Sequence, residues 1–272
     1  MDCGEGAQNK FADYGLGINR EMIILITHLH GDHVNGLLGL LQTMSMSQRV
    51  RTLTMVGPAI LKNWLEYTMR VFNIGLPFEV GFVPVRRGVV LKGREVVVRA
   101  AEANHSVPSW AYIVEERQRP GVFDPARAKA LGIEEGRKWS VLQHGRSVTV
   151  KGRRITPREV VGPSRKGRRI GYSGDTRPSV GLTRFFEGVD LLIFDSTFSS
   201  RDARMAVEKK HSTSVEAAEL ANAAKVRRLA LTHFSARYRR TDGLLREARA
   251  IFPETVVAAD GLVLEVGEER AQ

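Results

Sequence analysis

An α/β fold of two packed sheets covered by helices is the class this sequence predicts. Three observations carry it. Short β-branched and apolar runs alternate with stretches that have apolar residues at helical spacing. The alternation occurs twice, over residues 1–116 and again over 168–272. A basic stretch with four prolines separates the two halves.

In the first half, Ile23-Ile24-Leu25-Ile26 reads as a buried strand, and Val34 to Ser47 reads as a helix rich in Leu and Met. Leu53–Val56 is strand-like, Ile60–Phe72 is helical, and Val89–Leu91 and Val96–Ala100 are again strand-like. In the second half, Arg169–Tyr172, Leu191–Asp195, Leu229–Thr232 and Val256–Ala259 read as strands. Val215–Ala224 and Asp242–Ile251 read as helices. Strands interleaved with helices bury both faces of each sheet when helices cover the outsides. No period of 20 to 50 residues and no low-complexity tract interrupts the pattern.

At 272 residues the chain is long enough for one domain with an added arm. It holds no apolar run of 18 residues and no secretory signal pattern, so no membrane span is expected. The single cysteine, Cys3, excludes an internal disulfide and fits a reducing cytoplasm; it reads as a small buried residue. Charge is distributed unevenly. Residues 117–169 carry fifteen Lys or Arg against four acids, an excess of eleven that equals the net charge of the whole chain. Such a stretch is either a solvated surface arm or a phosphate-binding element, since Lys and Arg neutralise nucleic-acid phosphates whatever the sequence.

The chemistry is concentrated in Thr27-His28-Leu29-His30-Gly31-Asp32-His33. His28 and His30, two apart in extended chain, face the same way, and Asp32 and His33 open the following helix. Four ligands on one turn exceed the three protein ligands plus water of a catalytic zinc, so two metals sharing the turn is the economical reading. Further donors stand at strand ends: His105 in "AAEANHSVPSW", Asp175 in "RIGYSGDT" and His233 in "RRLALTHFSARY". Taken singly, His105 or His233 reads as readily as a hydrogen-bonded core histidine.

His-x-His-x-Asp-His after a strand resembles the signature of the metallo-β-lactamase superfamily of binuclear hydrolases. The wording "THLHGDHVNGLLGLLQTM" is similar to its tRNA 3′-processing endoribonuclease family, ribonuclease Z. The resemblance implies a four-layer αβ/βα sandwich over residues 1–272, with residues 117–167 inserted as an arm that grips tRNA. It implies one zinc on His28, His30 and His105, a second on Asp32, His33 and His233, and Asp175 bridging both. Zinc lowers the pKa of bound water towards about 7, and paired metals about 3.5–4 Å apart flank an in-line displacement at phosphorus. Asp32 and His211 of "EKKHSTS" would be the catalytic residues, with His211 protonating the leaving 3′-oxygen. Ser212 and Thr213 also suit a helix start there, which is a structural reason for the segment. Glu208, three residues before His211, is a candidate to orient it. Ser235 and Arg237 of "THFSARY" would hold a substrate phosphate. Asp195 in "IFDSTF" stands where the family shows glutamate, and Asp260 matches a late aspartate that orients a metal-bound histidine or else simply forms a turn before Gly261.

The expected partner is precursor tRNA, handled by a homodimer in which one subunit's arm presents RNA to the other's site. "MDCGEGAQNKF" resembles a family element that normally follows several strands, so the opening strands of the fold are expected to be missing. Two rivals remain open at this stage. One is another binuclear hydrolase on the same scaffold, such as a small phosphodiesterase, thioesterase or lactamase. The other is an RNA-binding remnant without activity.

Overall fold

The computed structural model of the chain describes residues 1–118 and 121–267, so Arg119 and Pro120 of the basic stretch lie outside the described residues. Two compact units result, one of residues 1–115 with those from 169 onward, the other of residues 116–168.

The larger unit opens with α1 (Ala7–Asp13), β1 (Met22–Leu25), the single turn α2 (Gly31–Val34) and α3 (Gly36–Met46). There follow β2 (Leu53–Gly57), α4 (Ala59–Val71), β3 (Val80–Pro84), β4 (Gly88–Lys92), β5 (Val96–Ala103) and β6 (Ser109–Glu116). The smaller unit holds α5 (Pro125–Ala130), α6 (Arg137–Gln143), β7 (Val148–Val150) and β8 (Arg153–Ile155). The larger unit then resumes with β9 (Arg169–Tyr172), α7 (Val180–Phe185), β10 (Leu191–Asp195), α8 (Ala203–Lys209), α9 (Ser214–Ala223), β11 (Leu229–Thr232), α10 (Asp242–Arg249) and β12 (Thr255–Val257).

β1, β2 and β3 form a parallel sheet in that order. A second sheet runs β12-β11-β10-β9-β6-β5-β4, parallel from β12 to β9 and antiparallel where β6 meets β9 and β4 meets β5. Alternation along the strands shows what each face covers. In and just after β1, Ile24 and Ile26 pack with Leu37, Leu40 and Leu41 of α3 and Leu61 and Leu65 of α4, whereas Leu25 joins Val56, Val98, Ala100 and Tyr112. In β6, Ala111 and Ile113 face Phe186, Ala217, Ala221 and Ala248 on the helical side, and Tyr112 points the other way. Period two thus places helices outside and a shared apolar layer between the sheets. The Tyr112 hydroxyl donates to the Ile26 carbonyl across that layer at 2.7 Å.

The helix expected from Val34 to Ser47 starts earlier and is broken at Asn35. The cause is close approach: a Cβ on Gly36 would meet the Gly4 carbonyl oxygen at 1.8 Å, so the chain turns there against residues 3–4. β3 and β6 in the larger unit, and β7 and β8 in the smaller, are strands beyond those read from the sequence. β3 carries Gly81 and Pro84, which weaken a strand signal and suit the sheet edge it occupies.

The smaller unit has a core of its own, Ala128, Ile133, Leu142, Val150, Ile155 and Val160, with Phe123 and Trp139 packed against it. Its β7–β8 hairpin turns through Lys151 and Gly152, both at positive φ, as a two-residue type I′ turn requires. Among the described residues, no helix is long and apolar enough to cross a membrane.

Candidate metal centre

The parallel strands β9, β10 and β11 end together, and each delivers a donor at or just beyond its carboxyl end: Asp175, Asp195 and His233. Ligands gather at such strand ends because the loops there diverge from a fixed edge. β1 delivers His28, His30, Asp32 and His33 through α2, and β5 delivers His105. The loop before Asp175 reaches its position through Gly174 at φ 57°, where a Cβ would lie 2.8 Å from Thr27.

The other six predicted ligands converge on Asp175. His28 Nε2 and His105 Nε2 lie 3.1 and 3.2 Å from His30 Nδ1 and 3.7 and 3.8 Å from Asp175 Oδ2. On the other side, His33 Nε2 lies 3.5 Å from Asp32 Oδ2 and 3.3 Å from Asp175 Oδ1. His233 Nε2 lies 3.5 Å from the same Asp32 oxygen and 3.3 Å from Asp175 Oδ2. Donors about 2.0–2.1 Å from a tetrahedral cation stand roughly 3.3–3.4 Å apart, so both sets have the spacing of a coordination shell. His33 Nε2 is buried without a hydrogen-bond partner, a lone pair with no protein acceptor or donor to satisfy it. The residues therefore fit divalent-cation binding around Asp175.

Two carboxylates set the histidine rings. Asp2 accepts from His33 Nδ1 at 2.7 Å, from the Tyr172 hydroxyl at 2.8 Å and from the Thr27 hydroxyl, which in turn accepts from His28 Nδ1 at 2.9 Å. Asp195 does the same for the second half. It accepts from His211 Nδ1 at 2.9 Å and from the Thr197 hydroxyl at 2.7 Å, and Thr197 accepts from His233 Nδ1 at 2.8 Å. His105 Nδ1 donates to the Lys210 carbonyl at 3.1 Å. For the rings of His28, His33, His105 and His233 the outer nitrogen carries the proton and Nε2 is left as a donor of electrons, the usual arrangement behind metal-bound histidine. His233 sits at φ 60°, a left-handed conformation stabilised by its bond to Thr197.

The electrostatics agree. Burial alone would raise the Asp175 pKa, but His33, with Nε2 3.3 Å from Oδ1, and the charges of His233 and His28 hold it well below the ordinary range. Burial, with the charge of His33, pushes His28 down to about 4, and burial also lowers His105. Burial opposes protonation of His33 as well, yet the carboxylates of Asp175 and Asp2 lift it to about 10.

His211 lies at the rim of this centre. Its ring stacks on His233 at 5.0 Å and meets His105 at 4.9 Å. Burial disfavours its protonation, but the Asp195 hydrogen bond raises its pKa above the usual value. Two expectations are corrected. Glu208 pairs instead with Arg204 on the exposed face of α8, so Asp195 and not Glu208 orients His211. Asp260 is exposed and pairs with Lys10 at 3.0 Å, so the late aspartate holds no histidine and Asp2 takes that part for His33. Ser235 and Arg237 lie beside the centre: Arg237 stacks on Phe198 at 5.2 Å and donates to Ser235 Oγ at 3.2 Å and to Asp202 at 3.3 Å. The seventh histidine, His144, caps α6 in the smaller unit.

Comparison with known proteins adds an independent line. Residues 129–234 match a family model described as a beta-lactamase superfamily domain, and residues 1–70 match one described as anti-Pycsar protein Apyc1. The ribonuclease Z of Nitrosopumilus maritimus is 43% identical over 266 residues, covering 98% of this chain and 89% of that protein. The ribonuclease Z of Methanothermobacter thermautotrophicus is 42% identical, covering 98% and 86%. The crystal structure of the short form of human tRNase Z aligns with a TM-score of 0.70 at 25% identity, covering 98% of this chain and 87% of that one.

Proposed function

This chain belongs to the ribonuclease Z family and has the metallo-β-lactamase fold, and on that premise we propose how its residues cut the 3′ trailer from precursor tRNA. It is a metal-dependent tRNA 3′-processing endoribonuclease. One observation carries the residue-level reading: six donor side chains from three other loops meet around Asp175 at coordination spacing. His28, His30 and His105 would hold one zinc, Asp32, His33 and His233 the other, with Asp175 shared, two per subunit.

When bound, such cations ionise water near neutral pH and neutralise charge on the phosphate. Asp2 and Asp195 keep the rings of His28, His33 and His233 in place with Nε2 free, and Asp195 also holds the His211 ring. His211, whose protonated form the Asp195 hydrogen bond favours, delivers its Nε2 proton to the departing 3′-oxygen. The tRNA is left with a 3′-hydroxyl and the trailer with a 5′-phosphate. Ser235 and Arg237 receive a phosphate of the scissile region, with Arg237 already stacked on Phe198. Residues 117–167 serve as the tRNA-binding arm, since all of the excess charge lies in and next to them. The working form is a cytoplasmic homodimer, as the family resemblance implies.

Mapping both product ends from one precursor tRNA, with added Zn²⁺ and with chelator, tests the proposal. A 3′-hydroxyl on the tRNA and a 5′-phosphate on the trailer, both lost with chelator, support it. A 2′,3′-cyclic end would overturn it. His211→Ala should cut turnover about 10²–10⁴-fold while leaving bound metal unchanged.

A further inference from the structure

We infer that Arg177, paired with Glu216, is a positioning residue that fixes His211 against the leaving oxygen by gripping its backbone while Asp195 holds its ring. The inference rests on the general-acid reading of His211 and extends it to a residue on the loop that carries Asp175.

The Arg177 guanidinium is largely buried, with 17% of the side chain exposed. Its Nη1 donates to the His211 carbonyl at 2.7 Å and to Glu216 Oε2 at 2.7 Å, and its Nη2 donates to Glu216 Oε1. The same Glu216 closes the capping box of α9, accepting from the Thr213 amide and hydroxyl at 2.9 Å each. A guanidinium fork held in two places does not swivel, so the His211 peptide is fixed relative to Asp175, two residues away. The loop is tied further. The Arg177 amide donates to the Asn104 carbonyl beside His105, the Thr176 amide donates to Asp195 Oδ2, and the Ser212 hydroxyl donates to the Thr176 carbonyl. His211 is thus held at both ends, its ring by Asp195 and its carbonyl by Arg177. Capping α9 needs only Thr213 and Glu216; the bond from Arg177 to the His211 carbonyl is additional to that need.

A misplaced acid has a selective effect. The ribose 3′-oxygen needs a proton to depart, whereas p-nitrophenolate departs as a stable anion. Arg177→Gln, Arg177→Lys and Glu216→Gln separate the possibilities. The amide introduced by Glu216→Gln keeps an oxygen for Thr213 but cannot form an ion pair with the guanidinium. Steady-state kinetics on precursor tRNA, hydrolysis of bis-p-nitrophenyl phosphate and elemental analysis of bound metal are measured for each, beside His211→Ala. For Arg177→Gln and Glu216→Gln, kcat on tRNA should fall about ten- to a hundredfold, as small displacements of catalytic groups do. KM, metal content and nitrophenyl ester hydrolysis should stay near wild type, and Arg177→Lys should recover part of kcat. Loss of metal, or a proportional fall on both substrates, overturns the inference, because Arg177 would then brace the metal centre itself. Unchanged tRNA cleavage in Glu216→Gln and in whichever Arg177 variant folds also overturns it. If His211→Ala leaves tRNA cleavage intact, the general-acid reading fails instead; if His211→Ala is impaired and the Arg177 and Glu216 variants are not, only the present inference fails.

Discussion

The two units of this chain divide the work by kind of interaction. The larger one encloses its functional groups: His28, His33, His105 and Asp175 are all less than a tenth exposed, and each ring rests on a partner fixed by another loop. The smaller one, residues 116–168, presents Lys and Arg on short elements around six small and medium apolar side chains. Directional bonds in a buried site need close placement, and long-range attraction to phosphate does not. Damage to the buried donors of the larger unit should therefore impair every substrate, and damage in the smaller unit should impair only RNA.

The largest effect is expected from Asp175→Ala, which removes the oxygen atoms common to both donor sets. Hydrolysis of precursor tRNA and of bis-p-nitrophenyl phosphate should both fall by at least about 10³-fold, since ionised water near neutral pH depends on the cations. Bound metal should drop in parallel by elemental analysis. Retention of either activity would break the assignment of a single shared centre. Deleting residues 120–165 should have the next largest effect, and only on RNA. Precursor tRNA cleavage should fall about 10²-fold or more through lost phosphate contacts, while nitrophenyl ester hydrolysis and metal content persist. If both activities fell together, the smaller unit would be scaffold for the larger.

What could be read from the sequence follows the range of the interactions involved. Arg169–Tyr172, Leu191–Asp195 and Leu229–Thr232 are strands with the bounds their apolar runs suggest, because a buried parallel strand is written locally as a hydrophobic run. The candidate donor turn from His28 to His33 is equally local. The groups that orient it are not. Asp2 reaches His33 across 31 positions, Thr197 reaches His233 across 36, and Arg177 reaches Glu216 across 39. No spacing rule encodes such pairs; they exist only once the sheets have formed. Glu208 illustrates the converse: proximity to His211 in sequence suggested contact, but the intervening left-handed Lys210 turns the chain and sends Glu208 to Arg204.

A smaller effect in the larger unit comes from Asp2→Asn. The substitution keeps size and suits the left-handed φ of 53° at that position. It withdraws the charge that His33 and, through Thr27, His28 lean on. Metal affinity should weaken about 10–100-fold, as losses of such supporting carboxylates do. Titration of the metal-free protein with Zn²⁺ measures it. At saturating metal, KM for precursor tRNA should be unaltered, because the smaller unit is untouched; a raised KM would show that the two units are not separable in this way.

The smallest effect sharpens the same contrast from the other side. Lys151 occupies the first position of the β7–β8 turn at φ 48°, where a lysine side chain is disfavoured and asparagine is favoured. Lys151→Asn therefore improves the local fit of the hairpin while removing one positive charge from the arm. Thermal stability should hold or rise by a few tenths of a kcal/mol, the scale of relieving a left-handed non-glycine residue. Affinity for precursor tRNA should fall only a few-fold, and the slope of log affinity against log salt should shrink by roughly 0.7–0.9, the share of one neutralised phosphate. Nitrophenyl ester hydrolysis should not change. The two readouts move in opposite senses, which separates charge from fold at one residue. A lower melting temperature with an unchanged salt slope would mean that Lys151 serves the hairpin, and that RNA is held by other cations of the arm.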